Sequence, residues 1–115
     1  MLLNLTNHPS SQWSQKQFDF AIELYKNVVD LSFPLISPDL NSDSLDLVVK
    51  EFEAKVREMN PKAVHIMGEM TFTYRMVKIL KKAGFTCLAS TTERTVIEEK
   101  DIKTSTFSFV QFREY

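Results

Sequence analysis

The sequence AVHIMGEMTFTYRMVKILKKAGFTCLA, residues 63–89, decides the fold of this chain. Its first five residues are almost continuously apolar, which is typical of a strand buried on both faces. Apolar side chains then recur at helical spacing from about Thr71 to Ala83, and Gly84 stands where a glycine cap is expected. Phe85 to Ala89 is a second apolar run. A strand, a helix and a strand in this order predict two parallel strands joined by a right-handed crossover.

The same alternation precedes this segment. Short apolar runs predict strands at residues 1–5 and 28–31, and amphipathic periods predict helices at about residues 14–26 and 42–59. Between the second strand and the second helix, residues 32–41 contain two prolines and no clean period, which indicates a long loop.

The C-terminal part of the chain has a different pattern. After Ala89 the polar segment Ser90–Arg94 is expected to end the fourth strand. Two further strands, at residues 95–98 and 104–113, are predicted to form a hairpin around Lys100 and Asp101. In the last strand the apolar alternation changes phase at Val110, which indicates either a β-bulge or burial on both faces.

These elements predict a single α/β domain over residues 1–115. We expect a three-layer, Rossmann-like architecture with a mostly parallel sheet in strand order 2-1-3-4, helices on both faces and a C-terminal antiparallel β-hairpin. Ligands of such sheets bind outside the carboxyl ends of the strands, where the strand order reverses. That point would lie between the first and third strands.

The composition excludes several classes of protein. With a net charge of −1 and no basic stripe, the chain lacks the electrostatic signature of a protein that binds long nucleic acid. No apolar stretch approaches the roughly 20 residues that span a bilayer, and the apolar N-terminus is expected to be a first strand rather than a signal peptide. The single cysteine, Cys87, is expected to be buried, which is consistent with the reducing cytoplasm. Neither a metal site nor a cofactor motif is found.

Polar residues after the first, third and fourth strands indicate a small-ligand site. Asn7, His8 and Ser10 follow the first strand, and His8 is the natural candidate for proton transfer. Gly68 and Glu69 follow the third strand, and Glu69 either binds a ribose hydroxyl or acts as a base. Each of these residues also has a structural interpretation, such as a turn, a helix cap or a loop without function.

The remaining candidates are hydroxyls and one cation. Thr71 and Thr73, at the start of the third helix, could donate to a phosphate or simply cap the helix. Thr91, Thr92 and Arg94 follow the fourth strand, and the arginine fork suits a phosphate. His65 lies inside the third strand and is expected to be a core histidine with its hydrogen bonds satisfied.

Four short motifs give the chain a resemblance to a known family. They are Asn7-His8-Pro9, Met67-Gly68-Glu69 with Thr73-Tyr74, Ser90–Arg94, and the closing segment Phe109–Tyr115. This pattern resembles small stand-alone proteins of the CRISPR-associated Rossmann fold (CARF) type, and most of all those described as ring nucleases. The likeness covers nearly the whole chain.

The resemblance implies a function in CRISPR antiviral signalling. It implies a homodimer that binds a cyclic oligoadenylate across its two-fold axis and cleaves it without a metal or cofactor, by attack of a ribose 2′-hydroxyl on the adjacent phosphate. His8 or Glu69 would be the acid or base. The residues that would bind the substrate are Asn7, His8, Ser10, Gly68, Thr71, Thr73, Thr91, Thr92 and Arg94.

Two alternatives remain open from the sequence. The first is a non-catalytic CARF-like sensor that binds the same ligand and signals to a partner. The second is an unrelated Rossmann-like protein that binds a mononucleotide or a phosphorylated metabolite.

Overall fold

The computed structural model describes residues 1–115 and consists of one five-stranded sheet with three α-helices. The strand order is β2-β1-β3-β4-β5, in which the first four strands are parallel and the last is antiparallel. The predicted α/β class, the strand order and the C-terminal hairpin are confirmed. The elements are β1 (Leu2–Thr6), α1 (Gln15–Tyr25), β2 (Val28–Asp30), α2 (Ser42–Met59), β3 (Ala63–Met67), α3 (Met70–Lys82), β4 (Thr86–Glu99) and β5 (Ile102–Glu114).

Each helix has a local signal that fixes one of its ends. The Ser14 side chain accepts a hydrogen bond from the Gln17 amide at the start of α1, and the Asn41 side chain accepts one from the Ser44 amide at the start of α2. After α3 the chain reverses at Gly84, whose φ of 93° lies in the left-handed region that glycine adopts at no steric cost. None of the three helices combines the length and the apolar content needed to span a bilayer.

The helices cover both faces of the sheet. Helices α2 and α3 bury Val56, Phe72 and their neighbours against Leu3 and Ile66, and this is the larger core. Helix α1 buries Ala21 on the opposite face against a smaller cluster that includes Leu2, Trp13, Ala63 and Leu88. Because side chains alternate along a strand, every second side chain of β1 and of β3 faces the α1 side of the sheet.

The prediction of a strand end at Ser90 is wrong. Strand β4 continues without interruption from Thr86 to Glu99, so the predicted segments 90–94 and 95–98 belong to the same strand as residues 86–89. The polar residues do not end it because β5 pairs with it along this whole length. Beyond Thr91 the pair is largely exposed, and threonine and charged residues suit a ribbon that faces water on its surfaces.

The expected β-bulge is confirmed. Thr91 pairs with Gln111 whereas Thr92 pairs with Phe109, so Val110 is the extra residue of β5. Beyond this bulge the hairpin projects from the body of the sheet, and we refer to residues 92–109 as the arm. The arm carries several exposed large apolar side chains, namely Val96, Ile97, Ile102 and Phe107.

Candidate functional site

A cavity of about 650 Å³ lies outside the carboxyl ends of β1 and β3, on the α1 side of the sheet. This is the point where the strand order reverses, and residues that follow β1 and β3 line the same cavity. No Lys, Arg, Asp or Glu lines it. The lining consists of Thr6, Asn7, His8, Gln12, Trp13, Ser14, Gln17, His65, Met67, Gly68, Ser90, Thr92, Phe107 and Phe109.

A polar layer beside the cavity comes from the strands themselves. On the α1 side, β1 and β3 begin with the buried apolar residues Leu2 and Ala63 and continue with Asn4 and His65, which are paired across the two strands. Both side chains are almost fully buried, with 1% and 2% of their surface exposed. A hydrophobic layer therefore gives way to a polar one at the end of the sheet where the cavity lies.

Asn4 is the centre of a buried hydrogen-bond network. Its Nδ2 donates to the His8 carbonyl oxygen at 2.9 Å and to Asp30 Oδ1 at 2.8 Å. Both partners are obligate acceptors, so the orientation of the amide is fixed. Its Oδ1 is then directed at His65 Nδ1, 3.0 Å away, and lies 3.0 Å from the Thr6 hydroxyl.

The orientation of Asn4 determines the tautomer of His65. Because Asn4 Oδ1 can only accept, His65 Nδ1 must carry the proton, and Nε2 is left with its lone pair. Nε2 is buried and has no hydrogen-bond partner. Burial and, to a smaller extent, the charge of His8 lower the pKa of His65 to about 4, so the ring is neutral near pH 7. The expectation of a fully satisfied core histidine is therefore only half correct.

The loop between β1 and α1 is held by its backbone. The His8 carbonyl lies within hydrogen-bond distance of Asn4 Nδ2, the Thr6 hydroxyl and Trp13 Nε1. Ser10 donates to Asp30 through its amide and its hydroxyl, at 3.1 and 2.8 Å. The carbonyl of His8 is thus structural, while its side chain is exposed at the cavity.

Asp30 ties this loop to strand β2. Its partial burial alone would raise the pKa of the carboxyl, but hydrogen bonds from Asn4 and Ser10 favour the charged form and hold the pKa below its ordinary value. The carboxylate is therefore ionised at neutral pH and acts as a fixed acceptor for both residues.

Four of the residues predicted to form the site meet in the cavity. Asn7 and His8 lie on one side, Gly68 follows β3, and Thr92 comes from the arm. Thr92 reaches the cavity as part of a strand rather than from a loop. The polar segment that follows β3 is thus a loop, whereas Ser90–Arg94 lies within strand β4. Together with the loop after β1, these two segments enclose one cavity.

Glu69 and Thr71 are engaged with each other instead. The Glu69 carboxylate caps α3 by accepting hydrogen bonds from the Thr71 hydroxyl and from the amides of Thr71 and Phe72. These bonds, with that of the Thr71 hydroxyl the strongest cause, lower the pKa of Glu69. A phosphate at this helix end would have to displace a carboxylate that is already there. Glu69 lines a separate groove with Asn7 and Phe33.

The other predicted residues lie outside the main cavity. Ser10 is bound to Asp30, and the Thr91 hydroxyl is bound to the backbone of Gln111. Arg94 lies on the arm, where it donates to the Ser105 hydroxyl at 3.1 Å. Thr73 lines a second, more apolar cavity of about 320 Å³ next to Met67 and Gly68.

Two further polar residues, Arg75 and Tyr115, have partners within the protein. Arg75 donates to Asp46, and the Tyr115 hydroxyl donates to the Ile66 carbonyl oxygen at 2.6 Å. Cys87 is buried, as expected, and burial raises the pKa of its thiol to about 11.

Gly68 is required by packing rather than by an unusual backbone angle. A Cβ at this position would overlap the ring of Phe33, which is itself packed edge-on against Phe72 at a centroid distance of 5.0 Å. The close approach lets the chain turn between β3 and α3 beside the cavity.

We therefore expect Gly68→Ala to lower the free energy of unfolding by about 1–2 kcal/mol, because a methyl group forced into a packed contact displaces its neighbours. Urea denaturation of the two proteins measures the difference. A double variant, Gly68→Ala with Phe33→Leu, makes room for the methyl group and should recover part of the loss. Equal stability of Gly68→Ala and the parent would contradict this explanation.

Several lining residues were not identified from the sequence. Thr6 and His65 lie within short apolar strands, Gln12 and Trp13 lie in the segment before α1, and Gln17 lies in its first turn. Of these, the strand residues carried a usable signal, since polar side chains inside buried strands need specific partners.

The fold and the cavity define an α/β protein with a polar and aromatic cavity at the switch point of a mostly parallel sheet. The chain belongs to the family described as the uncharacterized protein MJ1673 family, whose model matches residues 1–113. No curated protein and no solved structure matches it.

Proposed function

We propose that this protein binds a cyclic oligoadenylate as a homodimer and cleaves it, with one nucleoside unit of the ligand in the cavity of each protomer. The observation that carries the proposal is the uncharged, polar and aromatic lining of the cavity at the switch point. The motifs that resemble CARF ring nucleases supply the identity of the ligand.

The chemistry of the lining suits a nucleoside better than a phosphate. Trp13, Phe107 and Phe109 offer aromatic surface, and stacking of a base on such rings contributes about 1–3 kcal/mol. Amides and hydroxyls, among them Asn7 and Thr92, are suited to the hydrogen-bonding groups of ribose and adenine. The phosphates would then stay at the open mouth of the cavity.

The proposed dimer brings two such cavities to one symmetric ligand. The arm forms one wall of the cavity through Thr92, Phe107 and Phe109, and it carries exposed apolar side chains beyond them. Exposed apolar surface of this kind favours association with another protein surface. A second copy of the chain would cover the arm and place its own cavity on the same ligand.

The proposed reaction needs no metal. The ribose 2′-oxygen forms a bond to phosphorus, its proton passes to a base, and the bond from phosphorus to the 5′-oxygen breaks as that oxygen gains a proton. The products are a linear chain with a 2′,3′-cyclic phosphate and a 5′-hydroxyl. Of the two acid–base residues predicted from the sequence, His8 lines the cavity and Glu69 does not, so we assign removal of the 2′-hydroxyl proton to His8, and the departing 5′-oxygen takes its proton from water at the open mouth. In this proposal the protein acts in the reducing cytoplasm, with Cys87 as a free thiol.

Incubation of the purified protein with labelled cyclic tetra-adenylate, with and without a chelator, tests the proposal. We expect a linear product in both conditions. Tight binding without product would indicate that the protein is a non-catalytic sensor and not an enzyme. If no binding occurs at micromolar ligand, both are wrong, and a mononucleotide or phosphorylated metabolite becomes the ligand class to examine.

A pair of threonine variants tests the location of the site. We expect Thr92→Ala to weaken the binding of cyclic tetra-adenylate about fivefold, which corresponds to the loss of one hydrogen bond to the ligand. Thr106 lies in the same hairpin and does not line the cavity, so Thr106→Ala is the matched control and should bind as the parent does. Isothermal titration calorimetry measures both. Equal affinities for the two variants would place the ligand elsewhere.

A further inference from the structure

Two buried side-chain polar atoms have no hydrogen-bond partner, Thr73 Oγ1 and His65 Nε2, and of these only His65 lies at the main cavity. Its side chain is 2% exposed, lies in the middle of the central strand β3 and lines the cavity. Nδ1 has its partner in Asn4, whereas Nε2 has none. Buried polar atoms are nearly always paired, so an unpaired one at a cavity calls for an explanation.

The surroundings of His65 keep its ring in one orientation. Trp13 and Phe112 pack against it at centroid distances of 5.4 and 5.3 Å, both with steeply inclined planes. Asn4 cannot reverse its amide to offer a donor, because the carboxylate of Asp30 and the carbonyl of His8 hold Nδ2. Nε2 is therefore an acceptor with a fixed orientation, and no donor group of the protein reaches it.

We propose that His65 is a ligand-binding residue whose Nε2 accepts a hydrogen bond from a hydroxyl or amino group of the molecule in the cavity. The inference rests on the proposed function only for the identity of that molecule. It restricts the ligand chemically, since a phosphodiester or carbonyl oxygen has no proton to offer and would leave Nε2 unpaired. In a nucleoside the matching groups are the ribose hydroxyls and the exocyclic amine of adenine.

This role differs from that of His8. The side chain of His8 is exposed at the mouth of the cavity, whereas that of His65 is buried at its base. His65 is neutral at pH 7 because its pKa is about 4, so its lone pair is available to a donor at all physiological pH values. We therefore assign His65 to recognition.

The imidazole nitrogens can be observed directly by ¹H–¹⁵N NMR of the ¹⁵N-labelled protein. In the free protein at pH 7 we expect His65 to carry its proton on Nδ1 and to show an unprotonated Nε2. Addition of cyclic tetra-adenylate, or of adenosine at millimolar concentration, should shift the Nε2 resonance. A proton on Nε2 in the free protein, or a resonance that neither compound moves, would overturn the inference.

The two compounds separate this inference from the proposed function. If adenosine shifts Nε2 while cyclic tetra-adenylate does not bind, the proposed function is wrong and the role of His65 stands. If cyclic tetra-adenylate binds and is cleaved with no change at Nε2, the proposed function stands and the role of His65 is wrong.

Binding to analogues identifies the donor. We expect the parent protein to bind either the 2′-O-methyl or the 6-deamino analogue of cyclic tetra-adenylate about tenfold more weakly than the natural compound. His65→Phe, which keeps a planar ring but lacks Nε2, should remove this discrimination. His65→Gln keeps polar atoms at the position and serves if the phenylalanine variant does not fold. Discrimination that persists in both variants would contradict the assignment.

Discussion

Replacing Asn4 with leucine is expected to lower the free energy of unfolding by about 3 kcal/mol. The two side chains have similar shapes, so the change removes hydrogen bonds without opening a large cavity. It leaves His65 Nδ1, the His8 carbonyl and Asp30 Oδ1 without the partner they have in the parent. A buried donor or acceptor that loses its partner costs about 1–3 kcal/mol. Asp30 and His8 recover part of this from water and from other donors, whereas the buried imidazole does not.

The matched control is the same substitution at Asn7, three residues further along the chain. Asn7 is exposed and lines the cavity mouth, and surface changes of this kind usually alter stability by no more than about 0.5 kcal/mol. Urea unfolding of Asn4→Leu, Asn7→Leu and the parent gives the comparison. If Asn4→Leu is as stable as Asn7→Leu, the network does not stabilise the fold in the way described.

The order of elements was predictable from the sequence because the hydrophobic periods are unambiguous. Residues 42–59 repeat at helical spacing, and the observed helix α2 has the same bounds. The run at residues 63–67 is continuously apolar apart from His65, and β3 has these bounds as well. With helices between successive strands, the crossover rule leaves few topologies, and the predicted order is the observed one.

The extent of β4 was not predictable in the same way. The segment Ser90–Arg94 is polar, and polarity in a chain is typical of a loop as well as of a strand exposed to water. What decides between them here is pairing with β5, a contact between segments that are separated in the sequence. The bulge at Val110 could be predicted from the sequence, because the alternation of apolar and polar residues changes phase within β5 itself.

The contact between Asn4 and His65 could not be predicted from the sequence, for a related reason. Asn4 and His65 are adjacent only because β1 and β3 pair in parallel, 61 residues apart in the chain. A single polar residue in an apolar strand usually indicates a local compromise in the core. Two of them paired across neighbouring strands, at the end of the sheet where the cavity lies, form a hydrogen-bonded pair, and that register is a property of the fold.

Acid is expected to destabilise this protein through His65 well before its carboxylates are protonated. The unfolded chain takes up a proton at this residue near pH 6.5, while burial and the charge of His8 lower the pKa in the folded state to about 4. The unfolded state therefore binds more protons between these two values, so the stability present above about pH 6.5 is lost as the pH falls towards 4. Between about pH 7.5 and pH 5 the loss amounts to about 2 kcal/mol.

Urea unfolding at the two pH values, for the parent and for His65→Gln, isolates this contribution. Glutamine does not titrate, so the variant should lose about 2 kcal/mol less than the parent over the same interval. Asp30 and Glu69 do not interfere, because their pKa values are lowered in the folded state and they stay ionised at pH 5. His8→Gln is the matched control, since His8 is exposed, and it should keep most of the pH dependence. The same loss in His65→Gln as in the parent would mean that the imidazole of His65 is already accessible to protons in the folded state.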